Sequence, residues 1–547
     1  MREMINWWRG ERAVTLAKSL LLGLLPLTCC LVYCAAQGRS LGEVYLPGSE
    51  WNDELFYYKQ VEGIVHYGYP QGYFGFNESH ALKLSFAAWS PVLVFPWVLW
   101  GLVFGWNLMS PILCNIVLMT LCCVLFVWLV RPAWKQLGVL AFLFCLYRPF
   151  VRYMLSGMPE VICFTMLILF CGLAVNYQGR EKEYKLVLLF VLAGVMALMR
   201  PYLLLFLLLP SWLWIRSCRA RGGVWRGILG SLGVLALVAG LYACIKHYLG
   251  AEYFAPLFFT DWVTAFFEQG ILEGIRFTLG KIYYMGKDFF LHILQAFRSG
   301  LASGAYFAGF VVCTGVLAVQ SLKDWGLVRR RRRSLLKDDN SSLEEDTVSQ
   351  AERRLPVEAC LLFGCVGMFF ALLLMYKLTE GSRHLVTFMA AAVFVTALME
   401  TKFYKKAVLL GVTFAYFYSY MALNPYDYQV PYAEERSKAA QEEWSRVLEE
   451  KLALDRRQSP GFENVVIWVL MDDVDGTSVS TSWQLLYGLP RGFGISCCLP
   501  EYVLENFDSL QSRYLASPAG GEIEKLCQGA GYSRIYGDQD MVLYERR

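Results

Sequence analysis

Between Gly38 and Lys83 the chain runs Trp51-Asn52-Asp53-Glu54-Leu55-Phe56-Tyr57-Tyr58 and then adds Glu62, His66, Asn77, Glu78 and His80. Adjacent carboxylates followed by imidazoles are the groups that take and give protons in acid–base catalysis. A carboxylate beside apolar surface has its pKa moved toward neutrality, where that role works best. The interleaved aromatics could stack on a sugar ring or sit at the level of lipid headgroups. Composition alone favours the plainer reading, a wet loop with an aromatic belt. His66 and His80 read first as loop hydrogen-bonders.

A second set of charged residues stands at the ends of apolar runs: Arg148, Arg152, Glu160, Arg200, Arg383 and His384. A guanidinium meets a phosphate through two parallel hydrogen bonds, and it also snorkels to an interface without doing chemistry. A carboxylate such as Glu160 is costly near a bilayer, so its presence points to a function.

The elements that must position these residues are membrane helices. Of the 547 residues 56% are hydrophobic and only 18% are charged, too few to solvate so much apolar chain. The charges cluster between long apolar runs, which is the pattern of a multi-span protein. About eleven spans are expected, from Val14–Ala36 to Ala407–Leu423, with Leu137–Tyr153 read as one of them. The apolar run Phe86–Phe104 holds Pro91 and Pro96 and reads as an interfacial or re-entrant juxtamembrane segment rather than a crossing. With the N-terminus cytoplasmic, the inner loops hold Arg131 and Lys135, then Arg180, Lys182 and Lys185, then Arg216, Arg219, Arg221 and Arg226. Later ones hold Lys323 with Arg329 through Arg333, and Lys402, Lys405 and Lys406. Counting Phe86–Phe104 as a crossing would turn the later basic loops outward, against the positive-inside rule. Arg2, Arg9 and Arg12 precede the first apolar run, which is long enough to stay as an uncleaved helix.

Two domains are expected. Residues 1–423 form a polytopic transmembrane domain with its first outer loop at 38–83, the juxtamembrane segment at 86–104 and a flexible cytoplasmic linker at 323–358. Residues 424–547 form a small extracytoplasmic α/β domain, with a charged helix at Ala433–Leu454, strands at Val465–Leu470 and Met541–Tyr544, and a helix at Gly521–Gly529. The fold class is thus an all-α polytopic membrane protein with a small C-terminal α/β domain. The formal net charge of +4 gives no reason to expect a nucleic-acid partner, and the arginine run reads as a topology determinant. The 17 cysteines lie mostly in apolar runs and read as small buried hydrophobes; Cys497, Cys498 and Cys527 leave room for one bridge. No Cys/His spacing of a metal site occurs. Asp472, Asp473 and Asp475 lack the full calcium-loop pattern and read as a strand-ending turn. Asn77-Glu78-Ser79 matches a glycosylation sequon.

In order and spacing this layout, over roughly Arg12–Lys406, resembles the GT-C superfamily of membrane glycosyltransferases, which includes protein O-mannosyltransferases and aminoarabinose transferases. Asp53-Glu54 stands where that family has its acidic motif, in a long first outer loop. Tyr69-Pro70-Gln71-Gly72-Tyr73-Phe74 and Phe86–Phe104 resemble its juxtamembrane segments, Met158-Pro159-Glu160 its acidic helix start, Arg200-Pro201 its Arg-Pro hairpin and Gly381-Ser382-Arg383-His384 its Gly-Ser-Arg-Tyr signature. Ala88-Trp89-Ser90-Pro91 departs from the family's His-Pro-Pro, on the acceptor side.

The resemblance implies a hexosyl- or pentosyltransferase that moves a sugar from a polyprenyl-phosphate donor to a glycan, lipid or protein acceptor on the outer face, with inversion. It implies Asp53 as base with Glu54 beside it. Glu160, Arg200, Arg383, His384, Arg148, Arg152, His66 and His80 then line the donor and its phosphate. Members differ in whether they use a divalent metal, so none is assigned and one is possible. The rival reading is a polytopic transporter or lipid-linked sugar flippase, which predicts inverted repeats and paired broken helices. No internal repeat is visible.

Overall fold

A computed structural model describes residues 2–46, 53–68, 74–76, 79–80, 89–249, 259–299, 302–335, 345–375, 382–395, 405–406, 408–409, 411–413, 465–469, 494–537 and 541–546. Among them seven helices are long and apolar enough to cross a membrane. The chain is an integral, multi-pass membrane protein. The expected last span, Ala407–Leu423, and the helix at Ala433–Leu454 lie wholly or mostly outside the described residues, as do Asp472, Asp473, Asp475 and the sequon's Asn77.

The helices of this part are α1 (Arg2–Ala36), α2 (Asp53–Tyr67, in the first loop), α3 (Pro91–Phe104), α4 (Ser110–Val130), α5 (Trp134–Leu146), α6 (Pro149–Met154), α7 (Glu160–Gly179) and α8 (Glu183–Met199). They continue with α9 (Leu208–Ala220), α10 (Val224–Leu249), α11 (Asp261–Glu268), α12 (Ile271–Ser299), α13 (Ala302–Leu335), α14 (Glu345–Leu374) and α15 (Ser382–Val395). A helix that is apolar on every side belongs inside a bundle. That helix is α7, which packs on α4, α8 and α15 and buries Val161, Phe164, Ile168, Phe170 and Cys171 among others. By contrast α10 buries little and leaves Leu229, Leu232 and Leu237 for lipid.

Three boundaries differ from the sequence reading. The stretch read as one span over 137–153 is two helices, because Pro149 starts α6 afresh at its first position after the break at Tyr147-Arg148. Within the segment read as a flexible linker, α13 runs on to Leu335 and α14 begins at Glu345. Arginine, glutamate, glutamine and leucine all favour helix, so charge alone does not end one there. Finally, α1 begins at Arg2, well before its apolar run.

The juxtamembrane segment folds as α3, capped by the Ser90 hydroxyl, which accepts from the Val92 N–H at 3.2 Å, with Pro91 at its first position. At about 1.5 Å per residue its 14 residues span roughly 21 Å, short of a ~30 Å hydrocarbon core. Both its ends sit at the same end of the bundle. Trp106, just past its C-terminus, stacks on Tyr58 of α2 and donates to the Tyr58 carbonyl at 3.1 Å. Trp89, just before its N-terminus, packs against residues at the ends of α8 and α15. In its middle, Trp97 donates to Asn115 of α4 at 2.9 Å. Hence α3 lies along the loop end of the bundle.

The C-terminal strands are β3 (Val465–Val469), β4 (Gly494–Cys498), β5 (Tyr514–Pro518), β6 (Ser533–Gly537) and β7 (Met541–Glu545). Helix α16 (Pro500–Asn506) links β4 to β5, and α17 (Glu522–Gly529) links β5 to β6. The expected strands at 465 and 541 and the helix at 521 are all present. The core of this unit is Ile467, Val469, Cys498, Val503, Leu515, Ile523, Cys527, Val542 and Tyr544. Cys527 is a buried free thiol, and burial pushes it up to about 12. The sheet also takes two strands that no sequence signal announces, β1 (Phe74–Phe76) and β2 (Ser79–His80), both from the first loop. The order is β2-β1-β4-β3-β5-β7-β6, and β1 runs parallel to β4 with Gly75 opposite Ser496. The loop and the C-terminal sheet therefore share one side of the membrane, called the loop end below. The opposite end carries the arginines of α9 and α13 and is called the basic end.

Candidate functional site

At the loop end, residues 160, 200 and 384 meet although they are far apart in the chain. Each is delivered by a helix terminus. Pro159 caps α7, so Glu160 occupies its first turn, where the helix dipole favours a carboxylate. Pro201 forces Arg200 out of helical geometry into an extended one (φ −143°, ψ 117°), which ends α8. His384 lies in the first turn of α15.

Arg200 is 1% exposed and Glu160 is fully buried. One guanidinium nitrogen of Arg200, Nη2, donates to Glu160 Oε1 at 2.7 Å. The other, Nη1, donates to His384 Nδ1 at 2.7 Å and to the Tyr202 hydroxyl at 3.1 Å. Arginine has no acceptor, so His384 Nδ1 must present a lone pair, which makes this imidazole neutral with its proton on Nε2. The indole of Trp89 faces the guanidinium, with Cζ 5.3 Å from the ring centroid, and meets the His384 ring edge-on at 5.3 Å. Trp89 holds a left-handed backbone (φ 25°), a conformation that costs a bulky residue about 1–2 kcal/mol and recurs at functional sites.

A buried ion pair needs every polar atom satisfied to repay its desolvation. Here Glu160 Oε2 and Arg200 Nε have no partner among the described residues. Unused hydrogen-bonding capacity in a buried, charged cluster lets it engage a polar ligand.

The first loop reaches this cluster through α2. Asp53 and Glu54 occupy its first turn. Glu54 is fully buried, and its Oε1 accepts the Gly157 N–H at 2.9 Å. Gly157 precedes Glu160 by three residues, in a turn that Ser156 and Asn115 pin down. Asn115 donates to the carbonyls of Tyr153 (3.3 Å) and Ser156 (3.0 Å). A Cβ on Gly157 would come within 2.9 Å of Leu46 and 3.2 Å of the Glu54 Cβ, so only glycine admits α2 this closely. Tyr57, buried and one turn after Asp53, lies within electrostatic reach of Arg200. Positions 53 and 57 share a helix face.

The remaining sequence candidates are distributed as follows. Arg383 is next to His384 at the start of α15, and His80 is on β2; only their backbones are described, as for Asp53. Arg148 is apart from the cluster: it donates to the Tyr33 hydroxyl of α1 at 2.8 Å and stacks on that ring. Arg152 is half-buried on α6. His66 is exposed in the last turn of α2, about 20 Å from Asp53 along the helix axis. Sequence reasoning missed Trp89 and Tyr202. Tyr202 stands two residues from Arg200 beside the Arg-Pro pair. Trp89 stands just before the Ser-Pro cap of α3, and both placements were visible signals. No group of three or more His, Cys, Asp or Glu side chains that could hold a metal occurs among the described residues.

No protein-family profile and no curated protein matches the chain. Among solved structures it is similar to the apo oligosaccharyltransferase of Archaeoglobus fulgidus, with a TM-score of 0.48, 13% identity, and 92% of this chain and 69% of that one covered. It is also similar to ArnT from Cupriavidus metallidurans. The structure bound to undecaprenyl phosphate gives a TM-score of 0.39 at 11% identity, and the apo structure 0.37 at 11%, each over 96% of this chain and 97% of that one.

Proposed function

We propose that the chain is a glycosyltransferase of the GT-C class that moves a sugar from a polyprenyl-phosphate donor to an acceptor at the loop end, taken as the extracytoplasmic face. The observation that carries this reading is the meeting of Glu160, Arg200 and His384 in one buried cluster. Motif order had picked out all three, and the cluster is tied through Gly157 to the Asp53-Glu54 turn.

In this reading the acceptor oxygen attacks the anomeric carbon as the bond to the lipid phosphate breaks. The proton passes to the Asp53 carboxylate and the electron pair leaves with the phosphate, so the carbon inverts. A positioned base of this kind contributes about 10²–10⁴-fold in rate. Glu54 spends an oxygen on the Gly157 amide and is buried, which suits a group that positions Asp53 and α2 rather than a second base. Glu160 neutralises Arg200, and His384 is neutral, so the cluster alone offers a phosphate no net positive charge. Arg383 supplies it, standing in the first turn of α15, where a helix N-terminus also favours an anion. Arg200 then fixes His384 and, through it, the start of α15.

The test is incubation of purified protein with a panel of polyprenyl-phosphate sugars while lipid phosphate release is followed. Turnover is expected with one donor, and Asp53→Asn should abolish it without lowering the melting temperature. Asp53→Asn turnover equal to wild type removes Asp53 as base; the absence of binding and turnover with every donor removes the reading and favours a transporter.

A further inference from the structure

At the basic end, far from this cluster, helices α9, α13 and α14 leave a groove of about 720 Å³ between them. It is lined by Leu208, Trp212, Ser321, Trp325, Ala359 and Phe363, and the exposed apolar faces of Leu208, Trp212, Trp325 and Phe363 open it toward lipid. From Leu355 to Phe363 on α14 it runs roughly 12 Å along the membrane normal, at about 1.5 Å per residue. Apolar walls of that depth take a hydrocarbon tail.

Two further observations say what kind of lipid it is. At the groove's rim each tryptophan carries an arginine on its face. Arg216 lies over Trp212 with Cζ 5.2 Å from the ring, and Arg329 over Trp325 at 5.1 Å. Arg216 also pairs with Glu181, at a site open to solvent. Two exposed guanidiniums held by indoles at the interface suit an anionic headgroup; the Arg216–Glu181 pair stands in solvent, so a phosphate can take the place of Glu181 at little cost. Inside the groove, Ser321 is 7% exposed and its hydroxyl has no hydrogen-bond partner among the described residues. A buried hydroxyl wants an acceptor. Ser321 and Trp325 are one turn apart on the same face of α13, about 6 Å. The Arg329 guanidinium folds back to the level of Trp325. A carbonyl acceptor inside the groove and a phosphate one turn nearer the interface are the acyl ester and headgroup of a glycerophospholipid. A polyprenyl phosphate has no carbonyl to offer.

We propose that this groove is a binding site for an anionic glycerophospholipid, with one acyl tail between α9, α13 and α14, an ester carbonyl on Ser321 and the phosphate between Arg216 and Arg329. The site is separate from the loop-end cluster and would select the lipid of the leaflet at the basic end.

The experiment is native mass spectrometry of the purified full chain in detergent, with phosphatidylglycerol and phosphatidylcholine of identical acyl chains and with undecaprenyl phosphate as competitor. Wild type should retain phosphatidylglycerol about 10-fold more tightly than phosphatidylcholine, because both share the phosphate but the choline cation cancels its charge beside the two guanidiniums. The Arg216→Gln/Arg329→Gln double variant should lose that preference. Ser321→Ala should weaken both phospholipids about threefold, the worth of one neutral hydrogen bond. Melting temperatures close to wild type show that the variants are folded. Equal retention of the two phospholipids by wild type overturns the proposal. So does undiminished phosphatidylglycerol preference in the double variant, or one-for-one displacement of phosphatidylglycerol by undecaprenyl phosphate.

Discussion

The two ends of the bundle handle arginine in opposite ways. At the loop end Arg200 is buried, and four side chains hold it: Glu160, His384, Tyr202 and Trp89. At the basic end Arg216 and Arg329 lie exposed over Trp212 and Trp325, with water to solvate the charge. A buried guanidinium must be matched in charge and hydrogen bonding by its surroundings, so its geometry is fixed. An exposed one is worth little to stability and is free to meet a ligand that comes to it. The comparison separates a preorganised site from a recruiting one.

The largest effect that tests this contrast comes from breaking the buried pair on one side. Arg200→Met leaves Glu160 charged and alone, which typically costs about 3–5 kcal/mol, read as a large fall in thermal stability of the purified protein and loss of lipid phosphate release. The sharper measurement is the double variant Glu160→Leu/Arg200→Met. Replacing a buried pair by apolar groups of similar volume is often neutral, so stability should return. Transfer should not. Recovery of transfer in the double variant would reduce the cluster to a structural pair.

The next effect concerns how the outer loop is held against that cluster. Gly157→Ala drives a methyl into Leu46 and the Glu54 Cβ. An overpacked site of this kind typically loses about 1–3 kcal/mol. Because the strain acts on the α2 contact, kcat should fall more than the melting temperature predicts, whereas Gly138→Ala, inside α5 where nothing lies within 4 Å, should leave kcat alone and raise stability by about 0.5–1 kcal/mol. Equal responses at the two glycines would mean that the Glu54–Gly157 contact positions nothing.

Most of the loop-end site was legible in the sequence, and the reasons are physical. Glu160 and Arg200 stand out because charges are rare at the edges of apolar runs, and Pro201 announces the extended residue before it. The helices, and the strands at 465 and 541, follow from long apolar runs and from β-branched clusters. Trp89 and Tyr202 were not singled out, because aromatic residues are common wherever chain meets the bilayer surface. The strand β1 was hidden because Phe-Gly-Phe is too short to show a period and its pairing partner is hundreds of residues away. The basic-end groove is a matter of shape between three helices and leaves no motif.

That hidden pairing yields a third, smaller test. Since β1 lies between β2 and β4, backbone groups on both its edges are engaged. Gly75→Pro removes an N–H from the ladder, so amide exchange over 494–498 should quicken by about 10-fold, equivalent to about 1.4 kcal/mol. If transfer falls as exchange quickens, the C-terminal sheet helps to hold the loop; unchanged transfer confines its role to its own unit.

The smallest effect belongs to the exposed arginines. Arg216→Gln removes the contacts to Glu181 and Trp212, yet both charges stand in solvent: the side chains are 42% and 53% exposed. Surface pairs are worth about 0–1 kcal/mol and are screened by salt, and an exposed cation–π contact adds about 0.5–1 kcal/mol at most. Stability and transfer at the other end should therefore stay near wild type while retention of phosphatidylglycerol weakens. The outcome that breaks the contrast is a loss of stability as large as that of Arg200→Met. It would mean that Arg216 is matched by its surroundings as closely as Arg200 is, and that the groove beside it is a sealed part of the core rather than a place for lipid.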